Sequence, residues 1–316
     1  MNSLVALGSN NFTGPLDINS SCFIRKHQGV TPFCRKLHRV QFDTPLKPNS
    51  DVWLQIPRQG DLLTEVYLDL APVSQGLVSN IFQRIEVFIG KNILERHYAQ
   101  TIDLINQLTV PTQKQAILNS MYPVPFSFSK IGLPLVALDN QQVWFRFICA
   151  NFDPSLLTSA SVLCNYVYLT DTEAAWFKRP YDMLLTQIQM HEEGSPPSMV
   201  TTNFLNPCKE LYFTKFDKMS IRFNNIDIVP LSTWKFYHEL IPVDFHTRIP
   251  DGDYGVYTFS IEPETYEPSG AVNIGTVLHQ QFYVEGAVAP FRIYAVTYNI
   301  VRIQDGYGTI LFNNLQ

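Results

Sequence analysis

Residues 262–275 read EPETYEPSGAVNIG. Glu262, Glu264 and Glu267 lie among Pro263, Pro268, Gly270 and Gly275. Such a run admits three readings: an acid/base centre, a metal loop, or a shaped corner. Paired carboxylates do acid/base chemistry only in a partly buried cleft, with a second catalytic segment in reach. Two prolines instead hold the backbone rigid and extended, and Ser269-Gly270 is a turn signal. The stretch therefore reads as a proline-stiffened corner between two strands, and the segments around it should be β.

They carry that signature. Apolar residues recur with period two in IFQRIEVFI (81–89), QVWFRFICA (142–150), VLCNYVYLT (162–170), LLTQIQM (184–190), ELYFTKF (210–216), VYTFSI (256–261) and FRIYAVTYNIVRI (291–303). In 81–89 the alternation puts Ile81, Ile85, Val87 and Ile89 on a core face and Arg84 and Glu86 on the other. Turn clusters such as IPRQGD, IPDGDYG and QDGYG separate the runs. Short helices are predicted over 98–108, from Pro111 to about Asn119, over 171–177 with Asp171 as cap, and over 231–240. NYVYLTD (165–171) aligns with NIVRIQD (299–305), matching Asn165 to Asn299. That offset divides the chain into two β units with a junction near Asp171–Pro180, each long enough for an eight-stranded sandwich.

Composition narrows the function. Charged residues are 16% of the 316 and hydrophobic residues 46%, against about 25% charged in ordinary soluble domains. With 13% aromatics, the chain reads as one that buries surface in an assembly. The net charge of −5 argues against a nucleic-acid coat, and no direct sequence-specific nucleic-acid binding is expected. The five cysteines form no CxxC pair, and Cys149 and Cys164 lie in apolar runs as buried thiols. The N-terminus lacks a convincing signal peptide, and no apolar run is long enough to span a membrane. The seven histidines include no HxH or HExxH, so no metal or other cofactor is expected. HEE (191–193) reads as a solvated loop and FIGKN (88–92) as a hairpin turn without phosphate-loop spacing. No GxSxG elbow is present, and no catalytic residue is assigned.

Longer segments resemble a family in order. YTFSIEPETYEPSGAVNIG (257–275), IPRQGDLLTEVYLDL (56–70), IFQRIEVFIGKNILERHYAQTIDLINQLT (81–109), VPFSFSKIGLPLVALDNQQVWFRF (124–147), YVYLTDTEAAWF (166–177), LNPCKELYF (205–213) and YAVTYNIVRIQDGYGTILFNN (294–314) are similar to motifs of the major capsid proteins of large nucleocytoplasmic DNA viruses. The positions that carry the resemblance are Gly60, Asp61, Leu62, Gly132, Pro134, Lys209, Glu210, Pro263, Glu264, Pro268, Ser269, Gly270, Asn273, Tyr298 and Asn299. Asn206 stands where the family has histidine, and Thr297 where it has asparagine. The chain also leaves little room for the long loop insertions of many relatives.

The resemblance implies an all-β fold of two consecutive eight-stranded antiparallel jelly rolls with a few short helices. It implies an N-terminal arm over 1–33, a first jelly roll over 34–175 and a second over 176–316. It further implies a non-enzymatic structural protein of an icosahedral double-stranded DNA virus capsid, forming homotrimeric pseudo-hexagonal capsomers. Partners would be itself, neighbouring capsomers, penton and minor capsid proteins, and an internal viral membrane reached by the arm. The location would be the virion, with assembly in the host cytoplasm. A minor double-jelly-roll component and a metal-dependent two-cupin enzyme are the alternatives. Asn273 is expected to bond backbone near the corner, and Glu262 and Glu264 to serve the corner or an interface.

Overall fold

The computed structural model describes residues 32–71, 77–119 and 121–312. The first half holds β1 (Cys34–Gln41), β2 (Asp51–Gln55), β3 (Leu62–Ala71), β4 (Phe82–Ile89), β5 (Asn92–Tyr98), β6 (Met121–Val124), the two-residue β7 (Leu133–Pro134), β8 (Val143–Cys149) and β9 (Ser159–Tyr168). The second half holds β10 (Tyr181–Glu193), β11 (Met199–Thr202), β12 (Pro207–Thr214), β13 (Lys218–Phe223), β14 (Ile226–Thr233), β15 (Tyr254–Thr258), the two-residue β16 (Val272–Asn273), β17 (Gln280–Glu285) and β18 (Phe291–Gln304). The hairpin strand β19 (Tyr307–Ile310) then folds back on β18. Helices α1 (Leu77–Ile81), α2 (Ala99–Thr109), α3 (Asp171–Phe177) and α4 (Ile241–Phe245) punctuate the strands.

Four antiparallel sheets result: β1-β9-β3-β6, β2-β8-β4-β5, β10-β18-β12-β15 and β11-β17-β13-β14. With the short β7, β16 and β19 set aside, each half orders its eight strands first-eighth-third-sixth in one sheet. The other sheet runs second-seventh-fourth-fifth. This wrapping is the jelly roll, and it occurs twice along one chain.

Period-two patterning explains the packing. Along β8, Val143, Phe145, Phe147 and Cys149 point inward and meet β3 and β9 of the facing sheet in one core. Phe147 contacts the rings of Phe42, Phe82 and Phe145. The second core gathers Leu211 and Phe213 of β12, Ile221 of β13, Phe282 of β17 and Ile293 of β18. Cys149, Cys164 and Cys208 are buried free thiols, and burial pushes the Cys149 thiol up and that of Cys164 to about 12. The turn at Gln304–Tyr307 uses Asp305 and Gly306 at positive φ, as a two-residue hairpin with right-handed strand twist requires.

Several expectations change. Glu86 is not on a solvated face: its side chain is fully buried, with Arg96 Nε at 2.6 Å and Arg146 Nη1 at 3.2 Å. Two guanidiniums satisfy the carboxylate, so an alternating strand can bury its polar face. HEE (191–193) is the end of β10, with Glu192 paired to Arg292, and not a loop. The α3 cap is Thr170, one residue before Asp171, and its hydroxyl accepts from Glu173 N. The predicted helix over 231–240 begins later, because β14 runs to Thr233; a π-turn over Phe236–Leu240 then leads into α4. The 1–33 arm lies almost wholly outside the described residues.

Candidate functional site

The two halves meet along a seam of packed side chains and hydrogen bonds. Its centre is α2. Ile102 faces the first core, while Leu104 and Leu108 pack against Ile188, Tyr212, Val256, Tyr294 and Val296 of the second half. Apolar residues recur along two sides of this helix, so it is buried between both halves. Its polar side chains also cross the seam. Gln100 Oε1 accepts from Tyr294 Oη (2.6 Å) and Arg292 Nη1 (2.8 Å). The Gln107 carbonyl accepts from Arg248 Nε (2.9 Å), and Gln107 Oε1 from Asp251 N (3.1 Å).

A buried amide chain runs beside it. Gln187 Nε2 donates to the Leu94 carbonyl of β5 (2.9 Å), and Gln187 Oε1 accepts from Asn299 Nδ2 (2.7 Å). Asn299 also donates to the Phe312 carbonyl and accepts from Ile300 N (2.7 Å). Buried amides cost free energy unless paired, so this chain fixes one register of the two halves.

The proline-stiffened corner 259–271 closes the seam's far side. Ser269 Oγ lies 2.6 Å from Ser260 Oγ and accepts from Glu262 N (2.7 Å). Thr265 Oγ1 donates to the Glu262 carbonyl (2.8 Å). Pro263 is buried, Lys130 of the first half donates to the Glu264 carbonyl, and Tyr266 Oη donates to the Leu184 carbonyl (2.8 Å). Gly270 has φ +150°, and a Cβ there would meet the Phe259 carbonyl oxygen at 2.5 Å.

Glu264 reaches a charged knot that local sequence did not reveal. His246 Nδ1 lies 3.4 Å from Glu264 Oε1, and its Nε2 lies 3.1 Å from Glu210 Oε1. Both contacts lie off the hydrogen-bond axis, so the tie is one of charge. Thr247 N (2.7 Å) and Oγ1 (2.6 Å) donate to Glu264, and Tyr212 Oη donates to Glu210 Oε2 (2.8 Å). Burial would lower the imidazole's pKa, but the two carboxylates outweigh it and raise it to about 9. Burial would raise both glutamates; His246 and their hydrogen bonds hold them below the usual carboxylate value. A histidinium clamped between two carboxylates has no free lone pair, so the knot is a tie, not a general base. It borders a seam cavity of about 450 Å³, whose lining includes Ile105, Leu108, Lys130, Lys209, Tyr266 and Tyr298.

The sequence-marked positions fall into two groups. In the first half, Leu62 pairs with Pro134, and Gly132, at φ +87°, lies against Leu62. Asp61 Oδ2 accepts from Leu169 N (2.7 Å), and Gly60 leaves no room for a Cβ beside Tyr166. In the second half, Lys209, Glu210, Pro263, Glu264 and Tyr298 line the cavity. The Lys209 carbonyl accepts from Phe259 N (2.9 Å) beside Gly270 and Ser269, and Pro268 stays exposed at the corner. Asn273 does not bond through its side chain, which is exposed; its carbonyl accepts from Thr276 Oγ1 (2.8 Å). Among the described residues no set of three or more His, Cys, Asp or Glu is arranged to hold a metal ion.

Comparison with known proteins agrees with this architecture. Residues 181–309 match a family model described as large eukaryotic DNA virus major capsid protein. The major capsid protein of Pyramimonas orientalis virus is 23% identical over 338 residues, covering 82% of this chain and 85% of that one. In structure, a quasi-atomic model of the PBCV-1 virus capsid superposes with TM-score 0.81 at 17% identity, covering 93% of this chain and all of that one. The Faustovirus major capsid protein gives 0.74 at 9% identity, covering 90% and 93%. The chain is thus similar to the major capsid proteins of large eukaryotic DNA viruses, in its second half by the family model and along most of its length by the relatives.

Proposed function

We propose that this chain is the principal building block of an icosahedral capsid, assembled as homotrimers whose six jelly rolls give a pseudo-hexagonal outline. The observation that carries the reading is the doubled strand order: two equivalent sandwiches in one rigidly seamed chain. Three such chains present six similar modules around a threefold axis, and a closed ring buries flanking edges that would otherwise recruit further strands. The proposed modules are residues 34–175 and 176–316, with 1–33 as an arm. The faces joining chains should bury more than about 2,000 Å², as obligate interfaces do. Contacts between capsomers should be smaller and more polar. The role is structural, without a catalytic step, and is exercised in the virion shell after assembly in the host cytoplasm.

Purified virions test the reading. The chain is expected to give the dominant stained band; a minor band would assign it to a sparse double-jelly-roll component instead. The arm carries Arg25, Lys26 and His27, chemistry suited to minor or penton capsid proteins or to the headgroups of an internal membrane. Deleting residues 1–30 is expected to lower shell yield, and an unchanged yield of equally stable shells would remove the arm from assembly.

A further inference from the structure

The seam cavity brings two chemistries together. Leu108 of α2, Ile188 of β10, Tyr212 of β12 and Val296 of β18 pack as one apolar cluster with half-buried Ile105 against it, and all five line the cavity. Lys130 of the first half and Lys209 of β12 line it too, beside Glu210, Glu264 and His246. Lys130 and Thr265 are exposed, so the cavity reaches solvent on its charged side.

The charges there do not cancel. His246 stands as a cation between Glu210 and Glu264, which leaves that tie one negative charge. Two lysines turn the cluster one positive. Lys130 Nζ donates to the Glu264 carbonyl and not to its carboxylate, which is taken by Thr247. Among the described residues Lys209 Nζ has no hydrogen bond or ion pair, and it reaches Glu210 through its charge alone. Burial and the Lys209 charge hold the Lys130 ammonium below its ordinary value, against the pull of Glu264. Glu65, also on the lining, is held by Asn165 Nδ2 (2.5 Å) and Thr64 Oγ1 (3.1 Å). Two buried polar atoms of lining residues complete the picture. His97 is 2% exposed and has Nε2 3.2 Å from Glu95 Oε2, yet its Nδ1 has no hydrogen-bond partner among the described residues. Ser129 Oγ, next to Lys130 in the chain, has none either. Buried polar atoms are normally paired. An anionic headgroup gives Ser129 an acceptor and the two ammoniums a counter-charge.

Size narrows the ligand. The volume of about 450 Å³ falls within the ~300–1,000 Å³ of small-molecule sites. At about 30 Å³ for a water-sized group, it takes on the order of fifteen heavy atoms, enough for one alkyl chain and too few for a two-chain lipid. We propose that the seam cavity binds one long-chain fatty acid, with its alkyl chain along Leu108, Ile188 and Val296 and its carboxylate at Lys130 and Lys209. The site lies within one chain, so it stands apart from the assembly reading above.

Equilibrium dialysis of the lipid-stripped full chain against labelled myristate tests it. Saturable binding of about one myristate per chain is expected. Laurate, two methylenes shorter, should bind about tenfold more weakly. Tetradecanol should bind at least about tenfold more weakly than myristate, and inorganic phosphate should not displace myristate. Replacing both lysines (Lys130→Met with Lys209→Met) should weaken myristate about tenfold or more and leave tetradecanol unchanged, so that the gap between the two closes. Ile105→Trp should fill the cavity and abolish binding of both; if it does not fold, Val110→Phe on the same lining takes its place. Lys218→Met, at a lysine of β13 outside the cavity and paired with Glu285, should bind as wild type does. No saturable binding by wild type, displacement by phosphate, or unchanged myristate binding in the lysine or cavity-filling variants overturns the proposal.

Discussion

Replacing His246 by alanine is expected to cost about 3–5 kcal/mol of folding stability, because it strands a buried carboxylate. Glu210 lies wholly inside, with His246 as its counter-ion and Tyr212 as its donor. The histidine's raised pKa also sets a pH signature. Its contribution is complete below the unfolded value of 6.5 and is lost as pH rises through about 9. Glu210 and Glu264 are shifted the other way, so their contribution is complete above the unfolded value of 4.5 and is lost as pH falls through their lowered values. Stability should therefore be greatest between pH 4.5 and pH 6.5, where both contributions are complete, and should fall progressively above that. In urea unfolding from pH 5 to pH 10, wild type should lose on the order of 3 kcal/mol along the alkaline limb, and His246→Ala should lack that limb. A variant within about 1 kcal/mol of wild type, with the same alkaline loss, would show that the knot is no tie.

Gly270→Ala should be nearly as costly, at about 3 kcal/mol or more, since a Cβ 2.5 Å from the Phe259 carbonyl oxygen cannot be relieved by a rotamer change. Backbone must move, and the backbone there holds Ser269 against Ser260 and carries Glu264 to His246. The damage should spread to the seam: protease is expected to cut within 259–271 in the variant and not in wild type. Gly194→Ala, where a Cβ would meet nothing within 4 Å, is the matched control. Equal melting temperatures for the two variants would contradict the assigned role of the corner.

The strands were legible because burial against a facing sheet imposes period two on each run. The corner 262–275 was legible as a corner because proline, serine and glycine act through local backbone chemistry. His246 was not: its partners Glu210 and Glu264 come from elsewhere in the chain, and contacts of that kind leave no local spacing. Glu86 misled for a related reason. Its counter-ions arrive from β5 and β8, so a residue written as solvent-facing is paired and buried. The repeat of Asn165 in Asn299 was visible, but only the registers placed both asparagines opposite leucines, Leu37 and Leu185, at one position of the strand order.

The strand order supplies two equivalent modules, the seam holds them in one register, and we propose that three such chains close into one capsomer. The mass of the purified chain in solution tests this most directly. Three times the 36.2 kDa chain mass, persisting on dilution, is the expected result; a single-chain mass at micromolar concentration would contradict it.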